Sequence, residues 1–574
     1  MLMLKPALLA ISALCFTLIL SSCLGSPPPF FTLSSSPNTV GVVQGNNGTI
    51  MIAMNPKNGF SGSTSLAVSG LPRGVTATFV PNPASINSVL TLTASATAPA
   101  GTVAVTITGT SGTSINSTTL SLITSPPIPT GKIHHVVVII QENRTPDNLF
   151  HDPKLISAGA DIALQGMTST GQMVTLTPGA LATEYDLDHT HQGFLNICNY
   201  DPSTNSCLMN TADRNDCVPV QESCPPYPQY QYVDNSAGAI QPYFTMAETY
   251  TFGDRMFQTN QGGSFVAHQY LLSGTARIST TSPITQAENP DYSRTGAGIG
   301  AGCLANPGST MKTLNLLNPN PETPEGLLNF PLCFDHPTLT DVLDTGGLSW
   351  KYYASVPGYI WTAPDAIKHM CQPSGTQNHM VCSGPDWTDP NPKVVIEGSG
   401  AQIITDIASQ QLASVSWVTP SGAASDHPGT GVDTGPSWVS AIVNAVGQSP
   451  YWADTAIIVT WDDFGGWFDH VAPPVRNSLE VGLRVPLIVI SPYAKAAYIS
   501  HVNHDFGSIL RFIESNFGVG EIEPAVGYAD SQSDDLDDCF DFNQAPLPFT
   551  PIPAPLDANY FLNDKSPPTP PDSD

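Results

Sequence analysis

The chain has 574 residues, which exceeds one ordinary domain, so two or more domains are expected. Its 19 Lys and Arg stand against 47 Asp and Glu, for a formal net charge of −28. Such an acidic surface repels nucleic acid and anionic membrane and argues against both as primary partners. Only 11% of residues are charged, against a usual share of about 25%, a profile that suits a loop-rich exported protein.

The first residues predict a signal peptide over 1–23. Lys5 precedes an apolar run from Ala7 to Leu20, long enough for the hydrophobic region of a signal peptide and too short for a comfortable membrane span. The run ends in Leu-Ser-Ser-Cys, which resembles a bacterial lipoprotein signal and would place a lipid on Cys23. We therefore expect an envelope lipoprotein tethered through Cys23, with ordinary secretion as the alternative because Ser22 fits the lipoprotein pattern less well than Gly or Ala.

Residues 31–124 predict an all-β sandwich. Short alternating segments, such as Val75–Phe79 and Val103–Thr108, are separated by Gly, Pro and Asn at intervals of roughly eight to twelve residues. The turns at 70–75 and 97–102 resemble those of bacterial immunoglobulin-like surface domains. The segment has no His and hardly any acidic residue, so we expect a spacer or adhesive module.

A Pro-rich linker at 125–132 leads into a predicted catalytic domain over 133–545. Apolar runs at 134–140, 413–418, 455–460 and 485–490 alternate with helical stretches at 439–446 and 508–516. This alternation predicts a doubly wound, mostly parallel sheet with helices on both faces. The tail at 546–574 is rich in Pro and acidic residues and is expected to wrap loosely or stay disordered.

Nine cysteines remain after the two in the leader, Cys15 and Cys23. Oxidising compartments preserve disulfides, and the separations of nine, ten and seven residues in one cluster do not match the short ligand pairs of zinc sites. We therefore predict disulfides across long insertions, with the connectivity left open. The cysteines in these insertions are Cys198, Cys207, Cys217, Cys224, Cys371 and Cys382.

Two predicted strands end in polar side chains. Glu142 and Asn143 follow the run at 134–140, and Asp462 and Asp463 follow the run at 455–460. Each motif alone is also typical of a solvated turn, but strand ends of an α/β sheet are where such enzymes place their chemistry. Adjacent carboxylates repel each other unless a proton or cation compensates them, so the pair of motifs predicts a site for a hard metal ion.

An ordered series of motifs resembles the bacterial phosphoesterase family, which contains phospholipases C and acid phosphatases of the AcpA type. The resemblance covers residues 133 to 545. It implies an alkaline-phosphatase-like α/β fold that hydrolyses phosphoric esters. The motifs are Gln141–Phe150, Asp188-His189, Ser425–Pro428, Trp461–Pro474 and Arg484–Pro492.

By this resemblance Ser264 is the nucleophile, attacking phosphorus and forming a covalent phosphoserine. The two glycines before Ser264 allow close backbone approach, and a helix that begins there would aim free N–H groups at a phosphate. Without the resemblance a Gly-Gly-Ser turn is most often just a loop. The chain departs from the phospholipase pattern at Gly263, Val266, Ala267 and His268, where Pro, Pro, Asn and Arg are common.

The expected cofactor is one divalent metal ion, with Mg²⁺, Ca²⁺, Mn²⁺ and Zn²⁺ left open. Metal coordination would activate the weakly nucleophilic serine hydroxyl. The ligand set consists of oxygen donors, which suits a hard or intermediate ion. The expected ligands are Glu142, Asn143, Ser264, Asp462 and Asp463.

Three histidines in the resembled motifs, His189, His427 and His470, are expected to stabilise charge or protonate the leaving oxygen. Each can instead be a structural histidine. We treat His191, His501 and His504 as structural or supporting. Asp505 and Glu514 are expected to cap or pack a helix.

The favoured function is that of a metal-dependent phosphomonoesterase of acid-phosphatase type. A serine nucleophile and the lack of an obvious apolar docking segment after residue 133 support it. One alternative is a phospholipase C-type phosphodiesterase, and another is a non-catalytic surface adhesin with a degenerate phosphoesterase domain. The expected substrate is a small phosphorylated compound or a phospholipid head group, and the oligomeric state is left open.

Overall fold

The structure is a computed structural model. The predicted signal peptide, with Cys15 and Cys23, lies outside the described residues, as do 126–130 of the linker and 568–574 of the tail. The described residues are 28–36, 39–45, 47–99, 101–125, 131–290, 301–305, 309–317, 326–328, 332–376, 379–388, 391–398, 400–474 and 481–567.

Eight N-terminal strands form two four-stranded sheets, ordered β1-β3-β6-β5 and β2-β8-β7-β4. Alternate residues of β3 and β6 are buried, as expected for strands with one face towards a core. Side chains from both sheets, such as Leu90 and Ile107, share that core. The strands are β1 (Phe30–Ser36), β2 (Thr39–Val43), β3 (Asn47–Lys57), β4 (Ser65–Ser69), β5 (Val75–Val80), β6 (Asn87–Ala94), β7 (Gly101–Ser111) and β8 (Ser114–Ser125).

A nine-stranded sheet, counted over the described residues, forms the centre of the rest of the chain. Its strands are β9 (His135–Gln141), β10 (Thr251–Phe257), β11 (Trp350–Ala354), β12 (Val394–Ile396), β13 (Val415–Val418), β14 (Thr455–Trp461), β15 (Arg484–Ile490), β16 (Tyr498–Ser500) and β17 (His504–Asp505).

The sheet order is β12-β11-β13-β9-β14-β15-β10-β16, with β17 also paired to β10. Only β15 runs antiparallel to its neighbours among these strands. Every residue of β14 and β15 is buried, which requires cover on both faces of the sheet. The predicted α/β class with a mostly parallel sheet is confirmed.

Twelve α-helices are found in the described residues. Some of them form two packed groups. In one, α10 contacts α4 and α9, and in the other, α5 contacts α6 and α11. The helices are α1 (Pro146–Leu149), α2 (Pro153–Ala158), α3 (His191–Cys198), α4 (Gln241–Thr249), α5 (Ser264–Ser273), α6 (Leu339–Thr345), α7 (Lys368–Cys371), α8 (Pro385–Thr388), α9 (Gln402–Ala408), α10 (Gly435–Gly447), α11 (Phe506–Phe517) and α12 (Ala558–Asn563).

The segments between these strands and helices contain short 3₁₀ helices and small sheets. The 3₁₀ helices are Ala212–Arg214, Pro228–Tyr230, Gly302–Leu304, Ala363–Ala366, Gly422–Ala424, Pro450–Asp454, Ala529–Gln532 and Asp537–Cys539. Small sheets pair Gln165–Met167 with Met173–Thr175, Thr177–Gly179 with Gln231–Val233, Tyr185–Leu187 with Cys217–Pro219, Tyr200–Asp201 with Ser206–Cys207, Pro373–Thr376 with His379–Cys382, and Ile284–Gln286 with Met311–Asn315 and Gly326–Leu328.

Four disulfides cross-link the insertions, as the cysteine pattern predicts. The described bridges are Cys198–Cys207, Cys217–Cys224, Cys303–Cys333 and Cys371–Cys382. The odd cysteine is Cys539, which is buried and free. The bridges therefore hold the segments with the least regular secondary structure.

The described part of the C-terminal tail differs from the expected loose segment. Ile552 and Phe561 are buried in the main core. The Trp452 indole donates to the carbonyl of Leu547 (2.8 Å), and the Asn444 amide donates to that of Ile552 (2.9 Å). Apolar residues spaced among the prolines allow the tail to pack, although its composition predicts disorder.

Candidate active site

Parallel pairing of β9 with β14 sets the register of the site. Gln141 lies opposite Trp461, so the residues that follow the two strands emerge side by side. Glu142 and Asn143 therefore meet Asp462 and Asp463 at the carboxyl edge of the sheet. The structure brings these four predicted ligands together.

Two other strands reach the same edge. β13 runs parallel to β9 and leads through a short loop to Asp426 and His427. β10 has the same direction and leads through residues 258–263 to Ser264. The nucleophile candidate and one histidine candidate thus join the carboxylates because parallel strands end on one side.

A tight backbone contact holds the two carboxylate turns against each other. Asn143 has a φ of +63° and Gly465 a φ of +59°, a left-handed conformation that Asn tolerates and Gly adopts freely. A Cβ atom at Gly465 would collide with the carbonyl of Asn143. The glycine after the two aspartates is therefore needed for the turns to meet.

Backbone amides orient both aspartates. Asp462 Oδ1 accepts hydrogen bonds from the N–H groups of Asn143 (3.1 Å) and Asp463 (2.8 Å). Asp463 Oδ1 accepts one from the N–H of Gly465 (2.8 Å). Each aspartate thus has one oxygen held by the backbone and the other free to face the site.

The inward-facing atoms are buried without hydrogen-bond partners among the described residues. They are both carboxylate oxygens of Glu142, both polar side-chain atoms of Asn143, and Oδ2 of Asp462. Burial, and then the nearby Asp462 carboxylate, raise the pKa of Glu142 well above its usual value. The same two causes raise the pKa of Asp463 to about 8.

This donor set fits a divalent metal ion. Unpartnered buried oxygens cost free energy, and carboxylates forced together repel unless positive charge lies between them. Carboxylate and amide oxygens are the ligands that such ions prefer. Glu142 and Asp462, together with His268, form one of the described clusters whose ligand atoms lie within 4.8 Å of one another.

Ser264 is the first residue of α5 and is fully buried. Its hydroxyl donates to Asp463 Oδ2 at 3.3 Å. A Cβ atom at Gly262 would collide with the carbonyl of Ala287, so this glycine lets the turn pack closely. The helix that was predicted to begin at Ser264 is confirmed, and its positive end faces the carboxylate cluster.

His189 and His427 lie together beside this cluster, with ring centroids 5.6 Å apart. His189 Nδ1 contacts the carbonyl of Leu187 (2.8 Å), and His427 Nδ1 contacts that of Pro428 (2.6 Å). A carbonyl only accepts, so Nδ1 of each ring carries a proton. The charge of His189 acts to lower the pKa of Asp463, which places this imidazole near the Ser264 partner.

Asp426 fixes the loop that carries His427. Its Oδ2 accepts hydrogen bonds from the Tyr243 hydroxyl (2.8 Å) and the Trp461 indole (2.9 Å). Its carbonyl accepts from Nε and Nη2 of the buried Arg144, at 2.9 and 2.7 Å. Arg144, which belongs to the first sequence motif, therefore acts on the site through the loop rather than through the predicted ligands.

The structure places His470 in a different cluster. Its Nδ1 lies 2.8 Å from Asp147 and its Nε2 lies 2.9 Å from Asp161, so both ring nitrogens have carboxylate partners. Burial opposes the charge, but the hydrogen bond and ion pair with Asp147 outweigh it and raise the pKa of His470 to about 9. These contacts give no support to a direct catalytic role for His470.

Pattern reasoning missed His268 as a site residue. It lies one helical turn after Ser264, and its Nε2 is 3.3 Å from Glu142 Oε1 and 3.7 Å from Asp462 Oδ2. Burial lowers the pKa of His268 to about 4. Two signals were present in the sequence, the i+4 spacing from Ser264 and the departure from the resembled family at this position.

The remaining histidines and acids have structural contacts. His501 pairs with Asp254 (2.8 Å), and His504 pairs with Asp534 (2.7 Å). Asp505 is the N-cap of α11 and forms a capping box with Ser508, as expected. Among the described residues, none of the helices combines the length and apolar character needed to span a membrane.

Comparisons with known proteins find phospholipases C among the chain's relatives. The chain is 25% identical over 456 residues to phospholipase C A of Mycobacterium tuberculosis, covering 72% of this chain and 78% of that protein. It is 24% identical over 499 residues to hemolytic phospholipase C of Pseudomonas aeruginosa, covering 78% of this chain and 61% of that protein. A solved structure in the alkaline phosphatase superfamily, from Vibrio parahaemolyticus, aligns over 72% of this chain and 71% of its own length, with 11% identity and a TM-score of 0.33.

The family model described as Phosphoesterase family matches residues 133–520, which is most of the predicted catalytic domain. The mostly parallel α/β sheet, from β9 to β17, lies within the matched residues. Hydrolysis of phosphoric esters, the expected reaction class, follows from the family and its phospholipase C relatives. The chain belongs to the Phosphoesterase family.

Proposed function

We propose that this chain is a metal-dependent phosphodiesterase of phospholipase C type that works through a covalent phosphoserine on Ser264. The observation that carries the proposal is the Ser264 hydroxyl, 3.3 Å from Asp463, beside buried oxygens that lack partners. The phospholipase C names of the relatives favour a diester over the monoester that the sequence alone favoured.

The chain's own residues fit the steps of such a reaction. Asp463 orients the Ser264 hydroxyl and accepts its proton, while the serine oxygen attacks phosphorus and the alcohol of the ester leaves. A divalent ion bound by Glu142, Asn143, Asp462 and Asp463 would supply positive charge beside the phosphoryl oxygens and acidify the hydroxyl.

Two further groups act on charge that develops in the reaction. The positive end of the α5 dipole stabilises the negative phosphoryl group, although the N–H of Phe265 in its first turn already donates to Asn289 (2.9 Å). His189 and His427 each hold an Nδ1 proton on a backbone carbonyl, so the imidazolium form of either ring can deliver its second proton, on Nε2, to the leaving oxygen. Water then attacks the phosphoserine to release the phosphorylated product.

Turnover of matched substrates tests the proposal. The full chain, supplied with Mn²⁺ or Zn²⁺, should hydrolyse phosphatidylcholine vesicles and p-nitrophenyl phosphorylcholine with a higher kcat/KM than p-nitrophenyl phosphate. The reverse order would identify an acid-phosphatase-type monoesterase, which the serine nucleophile favours. Inactivity on all three substrates with every divalent ion would favour the adhesin alternative.

The leader gives the proposed location. We expect residues 1–23 to direct export, and Cys23 to tether the enzyme to the envelope. The enzyme would then take its metal ion from the divalent ions of an extracytoplasmic compartment. Cys23→Ala should release the protein from the membrane fraction, and an unchanged distribution would favour a different mode of export.

A further inference from the structure

His268 is placed to add a nitrogen atom to the oxygen donors of the proposed metal site. It lies on α5 one turn after Ser264, and its side chain is fully buried. Its Nε2 lies 3.3 Å from Glu142 Oε1 and 3.7 Å from Asp462 Oδ2. The three atoms that face one another have no hydrogen-bond partner among the described residues: His268 Nε2, Glu142 Oε1 and Asp462 Oδ2.

The contact on the other side of the ring fixes where its proton lies. The Tyr352 hydroxyl donates its single proton to the carbonyl of Trp361 at 2.9 Å. At His268 Nδ1, 3.5 Å away, the same oxygen can therefore only accept. Nδ1 carries the ring proton, and Nε2 presents a lone pair towards Glu142 and Asp462.

A nitrogen lone pair facing two carboxylates without an intervening proton is repulsive. A cation between them removes the repulsion, and the three ligand atoms lie within 4.8 Å of one another, close enough to share one ion. A hydrogen bond from Nδ1 to a neighbouring oxygen, here that of Tyr352, is the contact that usually orients a metal-binding histidine.

We propose that His268 is a direct ligand of the divalent ion, so that the site has one nitrogen donor in addition to its oxygens. This inference rests on the metal site of the proposed function. An imidazole ligand favours Mn²⁺, Co²⁺ or Zn²⁺ over Mg²⁺ and Ca²⁺, which take oxygen donors.

Pulsed electron paramagnetic resonance of Mn²⁺ tests the bond directly. The metal-free full chain is loaded with one equivalent of Mn²⁺, and ¹⁴N modulation of the electron spin echo is recorded. We expect ¹⁴N coupling in the wild type and its loss in His268→Gln, with Mn²⁺ bound at least about 10-fold more weakly, since residues that only orient a ligand already contribute about 10–100-fold. The matched control His134→Gln, at an exposed histidine paired with Asp454, should keep both coupling and affinity.

Each other outcome overturns the proposal. Bound Mn²⁺ without ¹⁴N coupling in the wild type removes His268 from the ligands but leaves the phosphodiesterase proposal intact. Coupling that persists in His268→Gln assigns the nitrogen to another residue. If His268→Gln does not fold, loss of coupling in His189→Gln or His427→Gln overturns the assignment. A wild type that binds no Mn²⁺, Co²⁺ or Zn²⁺ overturns both proposals.

Discussion

Ser264 offers the cleanest test of the mechanism at the scale of one residue. Ser264→Ala removes one hydroxyl whose described hydrogen bond is to Asp463, so the fold should be kept. We expect kcat/KM to fall at least about 10⁴-fold, since the nucleophile itself is lost. The matched control is Ser273→Ala, a buried serine at the other end of the same helix, which should keep most activity. Turnover of the diester substrates, with circular dichroism as a check of folding, decides the assignment.

Asp462 and Asp463 distinguish a metal site from an acid–base pair. Replacing either with Asn keeps the size and one oxygen donor but removes a charge, so metal affinity should fall. Excess Mn²⁺ or Zn²⁺ should then restore part of the lost rate. Kinetics titrated with metal across pH measure this. A general acid would give a variant that no metal concentration rescues, and its pH–rate profile would lose a limb.

The ion-pair cluster of His470 predicts a pH dependence of stability. The pKa of His470 is raised to about 9 by Asp147, above the 6.5 of an unperturbed histidine. Because its pKa is raised in the folded state, protonated His470 stabilises the fold fully below pH 6.5, and this contribution is lost as pH rises through 9. Asp161, Asp469 and Arg484 complete the charges around the ring. The Tm difference between the wild type and His470→Gln should therefore be largest below about pH 6.5 and shrink towards pH 9 and above.

At the scale of strands and helices, the sequence predicts the edge of the sheet but not everything that meets there. β9 and β14 are apolar and buried nearly throughout, so their positions and the polar residues after them can be found from pattern alone. β10 contains Gly253, Asp254 and Arg255 and has a bulge, so its pattern does not predict a strand. Partners distant in the chain balance those charges, His501 at Asp254 and Asp161 at Arg255, and no local pattern shows them.

The contact between His268 and Tyr352 also could not be predicted from local sequence patterns. These side chains are 84 residues apart in the chain and meet because α5 packs beside β11. His470, only seven residues after Asp463, points elsewhere because Gly465 and Gly466 turn the backbone between them. Proximity in sequence was thus a poor guide to membership of the site, whereas strand register was a good one.

The turn after β14 provides a prediction at this scale. Gly465→Ala places a methyl group against the carbonyl of Asn143 at a φ of +59°. Gly171, in an exposed turn, has a φ of +79° and nothing within 4 Å of an added Cβ. Gly171→Ala therefore has a comparable backbone strain, about 1 kcal/mol, without the collision.

We expect Gly465→Ala to lower the free energy of unfolding by more than Gly171→Ala and to weaken metal binding, since it displaces Asn143 or Asp463. Urea unfolding and metal titration of both variants measure the two effects. Equal losses in the two variants would mean that the turn is not needed to align the ligands.

At the scale of the whole molecule, the two largest hydrophobic cores of the described residues are separate. One belongs to the N-terminal strands and the other to the nine-stranded sheet with its helices. The catalytic region carries the four described disulfides and the buried carboxylates, while the N-terminal sandwich carries neither. Adding or removing metal should therefore change the thermal stability of the catalytic region only.

Calorimetry of the full chain with and without metal tests this division. Without a cation the carboxylates of Glu142, Asp462 and Asp463 repel one another, and metal binding relieves the repulsion only in the folded state. Ligand at 100 times its Kd adds about 2.7 kcal/mol. For a domain of this size that free energy corresponds to a rise in Tm of roughly 3 °C.

Chelation should lower the transition of the catalytic region and leave that of the sandwich unchanged. Asp462→Asn provides the control. The lost repulsion can change the Tm of its catalytic transition without metal, but added metal should shift that Tm less than in the wild type. A metal-induced shift of equal size in both transitions would show that the two cores unfold as one unit. No shift in either, at saturating Mn²⁺ or Zn²⁺, would contradict a metal ion at the carboxylate cluster.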